Sequence, residues 1–116
     1  MKVTYLDRAG IRKRIKRAAA TLGQTHPEIE RITLFGSLAR GDAVPGSDAD
    51  LLIVLSKSNV PFLNRHPQYV PYGCGTGVEV FAYTQAELEQ MIREKNPFVK
   101  QALKEGVVIY ERKGLR

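Results

Sequence analysis

Two aspartates, Asp48 and Asp50, stand two positions apart at the entrance of an apolar run, LLIVL at 51–55. If that run is a strand, its period of two puts both carboxylates on one face of a sheet, with room for divalent cations between them. Hard oxygen ligands in an open coordination sphere suit Mg²⁺, which prefers one or two carboxylates plus substrate phosphates. A two-metal arrangement wants a further carboxylate, because cations roughly 3.5 to 4 Å apart must be bridged and an attacking hydroxyl activated. Glu79 is the candidate, an acid that interrupts the apolar V-E-V-F of a later strand. A solvent-facing Glu79 is the competing reading, since a lone acid in a strand is costly unless it is solvated or paired.

Upstream, Gly36 and Ser37 mark a corner where a strand gives way to a short helical segment, SLAR. Glycine lets backbone approach a phosphate closely, and a helix N-terminus with a hydroxyl is an anion site. Ser37 as a plain helix cap is compatible with that role. Arg40 follows one helical turn later, placed either to neutralise phosphate charge or to hold the motif together by an ion pair.

Other chemistries fail on spacing. Gly41 and Gly46 have the separation of a P-loop but are followed by Ser47 and Asp48, with no lysine. Gly73, Gly75 and Gly77 precede a strand instead of opening a helix, which rejects a dinucleotide fingerprint. An EF-hand would need a third ligand where Leu52 stands. Ser37 lacks the G-x-S-x-G setting of a hydrolase nucleophile, and neither His26 nor His66 sits in a catalytic motif. Metal-dependent phosphoryl or nucleotidyl transfer is what remains.

The elements that must position these groups are legible in outline. Ile11, Ile15, Ala18 and Leu22 recur at helical spacing and predict a helix over about 7–23, ended near Gly23. RITLFG at 31–36, DLLIVL at 50–55 and VEVFAY at 78–83 predict three strands, the second buried and central. Thr84 and Glu87 form a capping box that opens a helix to about Lys95, with Leu88, Met91 and Ile92 inward. Asn96-Pro97 opens another, with Phe98, Val99, Ala102 and Leu103 on one face and Gly106 as its stop. VVIY at 107–110 reads as an edge strand and the tail ERKGLR as frayed. Residues 56–77 form a long connection with one short helix around Phe62–His66, of the kind that is often functional or mobile. The expected fold is α/β (α+β): one domain over 1–116, with a small mixed sheet and helices packed on one face.

Composition narrows the setting. One cysteine, Cys74, excludes a disulfide framework, and without Cys/His clusters there is no structural zinc site, which fits a reducing cytoplasm. The longest aliphatic run is too short to span a bilayer, so a soluble protein is expected. Eighteen Lys+Arg against twelve Asp+Glu give +6, which favours polyanionic partners. Six basic residues, Arg8, Arg12, Lys13, Arg14, Lys16 and Arg17, cluster on the first helix. A solvated face is the simpler reading, and a contact for an acidic partner or RNA the alternative. No interleaved aromatics or RNP motif support sequence-specific RNA recognition. At this length, a partner or a second copy is expected to help enclose two substrates.

Read together, Gly36-Ser37-x-x-Arg40-Gly41, five residues, then Ser47-Asp48-x-Asp50-Leu51 resembles the signature of the polymerase β-type nucleotidyltransferase superfamily. The short chain is most similar to its minimal nucleotidyltransferase (MNT) members. The resemblance is clearest over 31–55, extends to 83, and covers the terminal helices only in layout. It implies that Gly36 and Ser37, with Arg40 and Ser47 in the same motif, bind the incoming nucleotide, that Asp48 and Asp50 bind Mg²⁺, and that Glu79 is the third carboxylate. Many members have Asp at that third position, so Glu79 departs from the pattern by one methylene.

MNT proteins often pair with a small helical HEPN protein as antitoxin and toxin, in some systems transferring AMP to a tyrosine of the partner. The implied function is therefore Mg²⁺-dependent transfer of a nucleoside monophosphate, AMP from ATP, to a hydroxyl presented by such a partner. The alternatives are a nucleotide-holding antitoxin that occludes its partner without turnover, and modification of a small molecule such as an aminoglycoside. Relatives of the latter kind usually carry a further helical domain.

Overall fold

The computed structural model describes residues 7–113. Helix α1 (Arg8–Thr25) leads to strand β1 (Ile29–Phe35), the single turn α2 (Ser37–Arg40) and strand β2 (Ala49–Leu55). After two short 3-10 turns come β3 (Val78–Thr84), α3 (Gln85–Arg93), α4 (Pro97–Glu105) and β4 (Val107–Glu111). The sheet is mixed, in the order β3-β2-β1-β4, with β1 antiparallel to both β2 and β4, and β2 parallel to β3. As expected, β2 is internal and β4 lies at an edge.

The expectation of helices on one face is corrected. Leu51, Ile53 and Leu55 of β2 pack with Ile11, Ile15, Ala19 and Leu22 of α1, whereas Leu52 and Val54 pack with Phe35 and with Leu88, Val99 and Ala102 of α3 and α4. Helices therefore cover both faces. The physical sign is LLIVL itself: a strand with no polar alternation has both sides buried.

Asp7 caps α1 by accepting from the Gly10 N–H at 3.0 Å. The helix runs past the predicted stop at Gly23, because that glycine makes room for the Tyr110 ring, into which a Cβ would project. The Thr84–Glu87 capping box is present, and Asn96 caps α4 by accepting from the Val99 N–H. The inward stripes of α3 and α4 are narrower than expected. Ile92 and Leu103 are exposed, while Leu88, Val99 and Ala102 are buried and the Phe98 ring, partly exposed, packs on Phe35 and Phe81 of the sheet.

The connection 56–77 is the crossover that a parallel strand pair requires. In place of one helix at Phe62–His66 it holds the 3-10 turns Phe62–Asn64 and His66–Gln68. The turns frame Arg65, which is only 3 % exposed. Its guanidinium donates to Val60 O at 2.8 Å, to Ala82 O at 3.1 Å and twice to Glu87 at 2.6 and 3.1 Å. Tyr69 donates to Glu28 at 2.6 Å, and Cys74 is buried.

The tail differs from expectation as well. Arg112 donates to Gly23 O, Ile29 O and His26 O, and Glu111 pairs with Arg31 at 3.0 Å, so the chain is tied down to Arg112. The rest of the predicted fray, 114–116, lies outside the described residues, as does the start of the N-terminal stretch. No described helix is long and apolar enough to cross a membrane.

Candidate active site

β1 ends at Phe35, and Gly36 turns the chain with φ 80° and ψ −158°. That left-handed φ favours glycine, and a Cβ there would collide with the Asp50 carboxylate. The Gly36 carbonyl accepts from the Ala39 and Arg40 amides, which winds the single turn α2 directly after the corner. One turn gives little macrodipole, so the corner offers an anion discrete donors rather than a helix field. Two residues of α1 hold this turn from behind. Arg12 donates to Leu38 O and Ala39 O, and Arg8 to Ala43 O. Part of the basic face expected to be solvated thus satisfies carbonyls that end α2.

Register places the acids. Asp50 lies opposite Phe35 on β1 and opposite Glu79 on β3, so Asp50 and Glu79 are lateral neighbours on the face covered by α3 and α4. Asp48, just before β2, stands against Gly77, just before β3. Glu79 and Asp48 are exposed and Asp50 is half-buried. Burial first, then the charges of Glu79 and Asp48, push the Asp50 carboxyl above its ordinary value, with Arg40 opposing. Glu105 pushes the same way more weakly, and a cation would relieve this repulsion.

Among the described residues no three His, Cys, Asp or Glu side chains converge tightly enough to cage a metal. The donor set still fits Mg²⁺, which takes one or two carboxylates and completes its octahedron with water and phosphate oxygens.

A cavity of about 430 Å³ opens beside Asp50, with Gly36, Ser37 and Arg40 on one wall and α4 on the other through Phe98 and Glu105. A larger cavity, about 590 Å³, lies between α1 and the segment 67–73, but no carboxylate lines it and it is remote from the acids. The smaller cavity is the candidate on chemical grounds, because Asp50, Ser37 and Arg40 line it. Ser47 is set apart from its wall. Its hydroxyl accepts from the Val44 N–H at 3.0 Å and its carbonyl from Thr76 at 2.7 Å, so it shapes the turn that delivers Asp48.

Glu105, the last residue of α4, went unnoticed in the sequence. It accepts from the Gly36 N–H at 3.0 Å, from Arg40 at 3.1 and 3.2 Å and from the Gln101 amide at 2.8 Å. The Gln101 donor foremost, with Arg40 and Gly36 adding and burial opposing, holds its carboxyl below the usual range. Asp42 and Glu105 together hold the Arg40 guanidinium above its ordinary value. Only Gly106, read as a helix stop, hinted at this place in the sequence. Nothing local marks an acid whose partners are 65 and 69 positions away.

The sequence profile of the family described as "Polymerase beta, Nucleotidyltransferase" matches residues 18–114. A Methanocaldococcus jannaschii chain named as a protein adenylyltransferase is 26% identical over 81 residues, which are 70% of this chain and 76% of that one. Three solved structures share the fold. A Sulfolobus solfataricus protein named as a nucleotidyltransferase has TM-score 0.63 and 20% identity, covering 92% of this chain and 86% of that one. A toxin–antitoxin complex with AMP-PNP gives TM-score 0.56 and 16% identity, and an aspartate-to-glutamate double mutant of the toxin–antitoxin pair MntA-HpeT gives 0.54 and 13%; each match covers 84% of this chain and 74% of the other. The profile match spans both half-motifs and the strand that carries Glu79, and the chain belongs to the polymerase beta nucleotidyltransferase family.

Proposed function

We propose that residues 1–116 act as one minimal nucleotidyltransferase domain that moves AMP from ATP to a hydroxyl of a protein partner, with Mg²⁺ as cofactor. The observation that carries this reading is the lateral pairing of Asp50 with Glu79, close to Asp48, with Asp50 itself lining the cavity that Gly36, Ser37 and Arg40 also line. Acids and anion donors at that spacing serve a substrate that is both polyphosphate and metal-bound.

Gly36, by letting the backbone approach closely, and Ser37, by its hydroxyl, hold the triphosphate, and Arg40 balances charge as it builds on departing pyrophosphate. Asp48 and Asp50 hold the cation. When bound, the cation neutralises phosphate oxygens and fixes the in-line geometry. Glu79 takes the proton of the acceptor hydroxyl, whose oxygen forms the new bond to the α-phosphorus while the bond to the bridging oxygen of pyrophosphate breaks. Side chains of the protein contribute mainly positioning and charge.

Protein as the acceptor class is supported by the name of the archaeal relative, and a toxin partner, of the helical HEPN kind, by the two toxin–antitoxin structures that share the fold. RNA binding through the basic helix has less support, since Arg8 and Arg12 are committed to backbone carbonyls.

The test is transfer of label from α-labelled ATP to a co-purified or supplied partner protein in Mg²⁺, with the Asp48→Asn/Asp50→Asn double variant as control. Label on a partner hydroxyl, lost in the control, is expected. Equal labelling by the folded control would overturn the mechanism. Partner binding with no labelling, unaffected by changing all three acids, would favour an antitoxin that acts by occlusion.

A further inference from the structure

We infer that Glu105 is a positioning residue for nucleotide binding, an acid at the end of α4 that sets the Gly36–Arg40 corner in its phosphate-accepting shape. The inference rests on the assignment of that corner to the nucleotide's phosphates and deepens it.

Gly36 is the point of difficulty in the corner. Its N–H follows the last residue of β1 and lies beyond the β2 ladder, which ends at Phe35 opposite Asp50. It is buried, so it must find an acceptor or leave a donor unsatisfied. Glu105 provides one at 3.0 Å. The same carboxylate receives Arg40 through both of its oxygens, at 3.1 and 3.2 Å. One side chain therefore ties the first residue of the corner to the last residue of α2, and the two cannot drift independently.

The carboxylate is itself held. Gln101, one turn earlier on α4, donates to it at 2.8 Å, and the Glu105 side chain is only 11% exposed. Gly106 follows at once, its Cβ position blocked by the Ala102 carbonyl and the Thr33 methyl, each 2.5 Å away, so the end of α4 is pressed against β1. The acid is delivered by a packed element, as a precise site requires.

Arg40, in contrast, is exposed and would otherwise sample many rotamers. Asp42 takes its Nε at 3.2 Å and Glu105 its Nη1, which sets the plane of the guanidinium at the cavity wall. A guanidinium fixed before the nucleotide arrives loses less freedom on binding. A negative charge near a phosphate site is unfavourable by itself, but here it is spent on donors, with Gly36, Arg40 and Gln101 all pointing at it.

The experiment measures ATP affinity by calorimetry in Mg²⁺, and KM and kcat for label transfer, in the wild type, Glu105→Ala, Glu105→Gln and Arg40→Ala, with thermal melts to confirm folding. Glu105→Ala is expected to weaken ATP binding and raise KM by roughly ten-fold, with a smaller change in kcat, as for an interaction that holds the substrate equally before and in the transition state. Glu105→Gln retains an oxygen for the Gly36 N–H and should recover part of the loss. In the double variant with Arg40→Ala, the two effects should fall short of adding, because they act through one contact. Tighter ATP binding in Glu105→Ala or Glu105→Gln would overturn the inference by showing that the carboxylate competes with phosphate. Unchanged affinity with only a lower melting temperature would overturn it too, leaving a structural role. If the wild type binds ATP and Glu105→Ala binds it equally, the positioning role alone fails. If the wild type binds none, the functional reading fails and the inference with it.

Discussion

Arg40 and Arg65 stand in the two longest irregular parts of the chain, each clamped by glutamate, and they end in opposite conditions. Arg65, in the crossover from β2 to β3, is 3 % exposed, and its donors go to Val60, Ala82 and Glu87. Arg40, in the corner between β1 and β2, is exposed on the wall of a cavity lined by Asp50. The crossover resolves its polar groups internally and behaves as core. The corner is built from equally specific contacts, yet it leaves Asp50 repelled by neighbouring acids and puts Ser37 and Arg40 on the wall of a cavity. In the proposed reading stability and function separate by region, and a site that is uncomfortable alone is one that a ligand can relieve.

The sharpest test of that separation is Asp48→Asn/Asp50→Asn. Label transfer should fall by roughly 10³-fold or more, while a thermal melt shows stability unchanged or raised, because the change removes repulsion. A collapse in melting temperature would mean that the acids are structural and would erase the contrast with the crossover.

Arg65→Ala is the reciprocal change. It strips donors from two backbone carbonyls and opens a cavity, for a loss of about 2 to 4 kcal/mol in denaturant unfolding. Any activity left at low temperature should keep its KM for ATP, since no Arg65 contact reaches the site.

Gly36→Ala sits between the regions in effect. The left-handed φ and the collision with Asp50 should cost about 1 to 3 kcal/mol in unfolding experiments and weaken nucleotide binding as well. A neutral result would mean that the corner is looser than the geometry describes.

The smallest effect is acid dependence. Arg65 holds the Glu87 carboxyl at about 2 from an ordinary 4.5. A depressed acid stabilises the fold above its unfolded value, and that stabilisation is lost as pH falls toward the folded one. The wild type should therefore lose about 1 kcal/mol more than Arg65→Met between pH 4.5 and 2, a figure discounted because the Glu87 side chain is 42% exposed. Coincident acid-unfolding curves for the two proteins, against this expectation, would mean that the pair contributes nothing measurable.

The strands, the capped helices and the two half-motifs were legible because each is written in a local pattern: the unbroken apolar run LLIVL, Thr84 to Glu87, Asn96-Pro97, Asp48 to Asp50. What was missed depends on pairs distant in sequence. Arg65 reads as one more basic loop residue until Glu87 and Ala82 are beside it. Arg8 and Arg12 read as a solvated face until α2 ends beneath them. Ile92 and Leu103 fit a helical stripe, but short helices on a sheet bury only the part of that stripe the sheet can reach.

The sequence by itself determined which chemistry is available, since Gly36, Ser37, Asp48 and Asp50 are fixed in type and spacing within one short stretch. Only the tertiary structure decided that Glu79 is the neighbour of Asp50, because parallel pairing of β2 with β3 is a register and not a pattern. It alone decided that both faces of the sheet are covered, and that α4 returns Glu105 to the Gly36 amide. Those outcomes follow from how the whole chain packs its apolar surface, a property that no short window of residues contains.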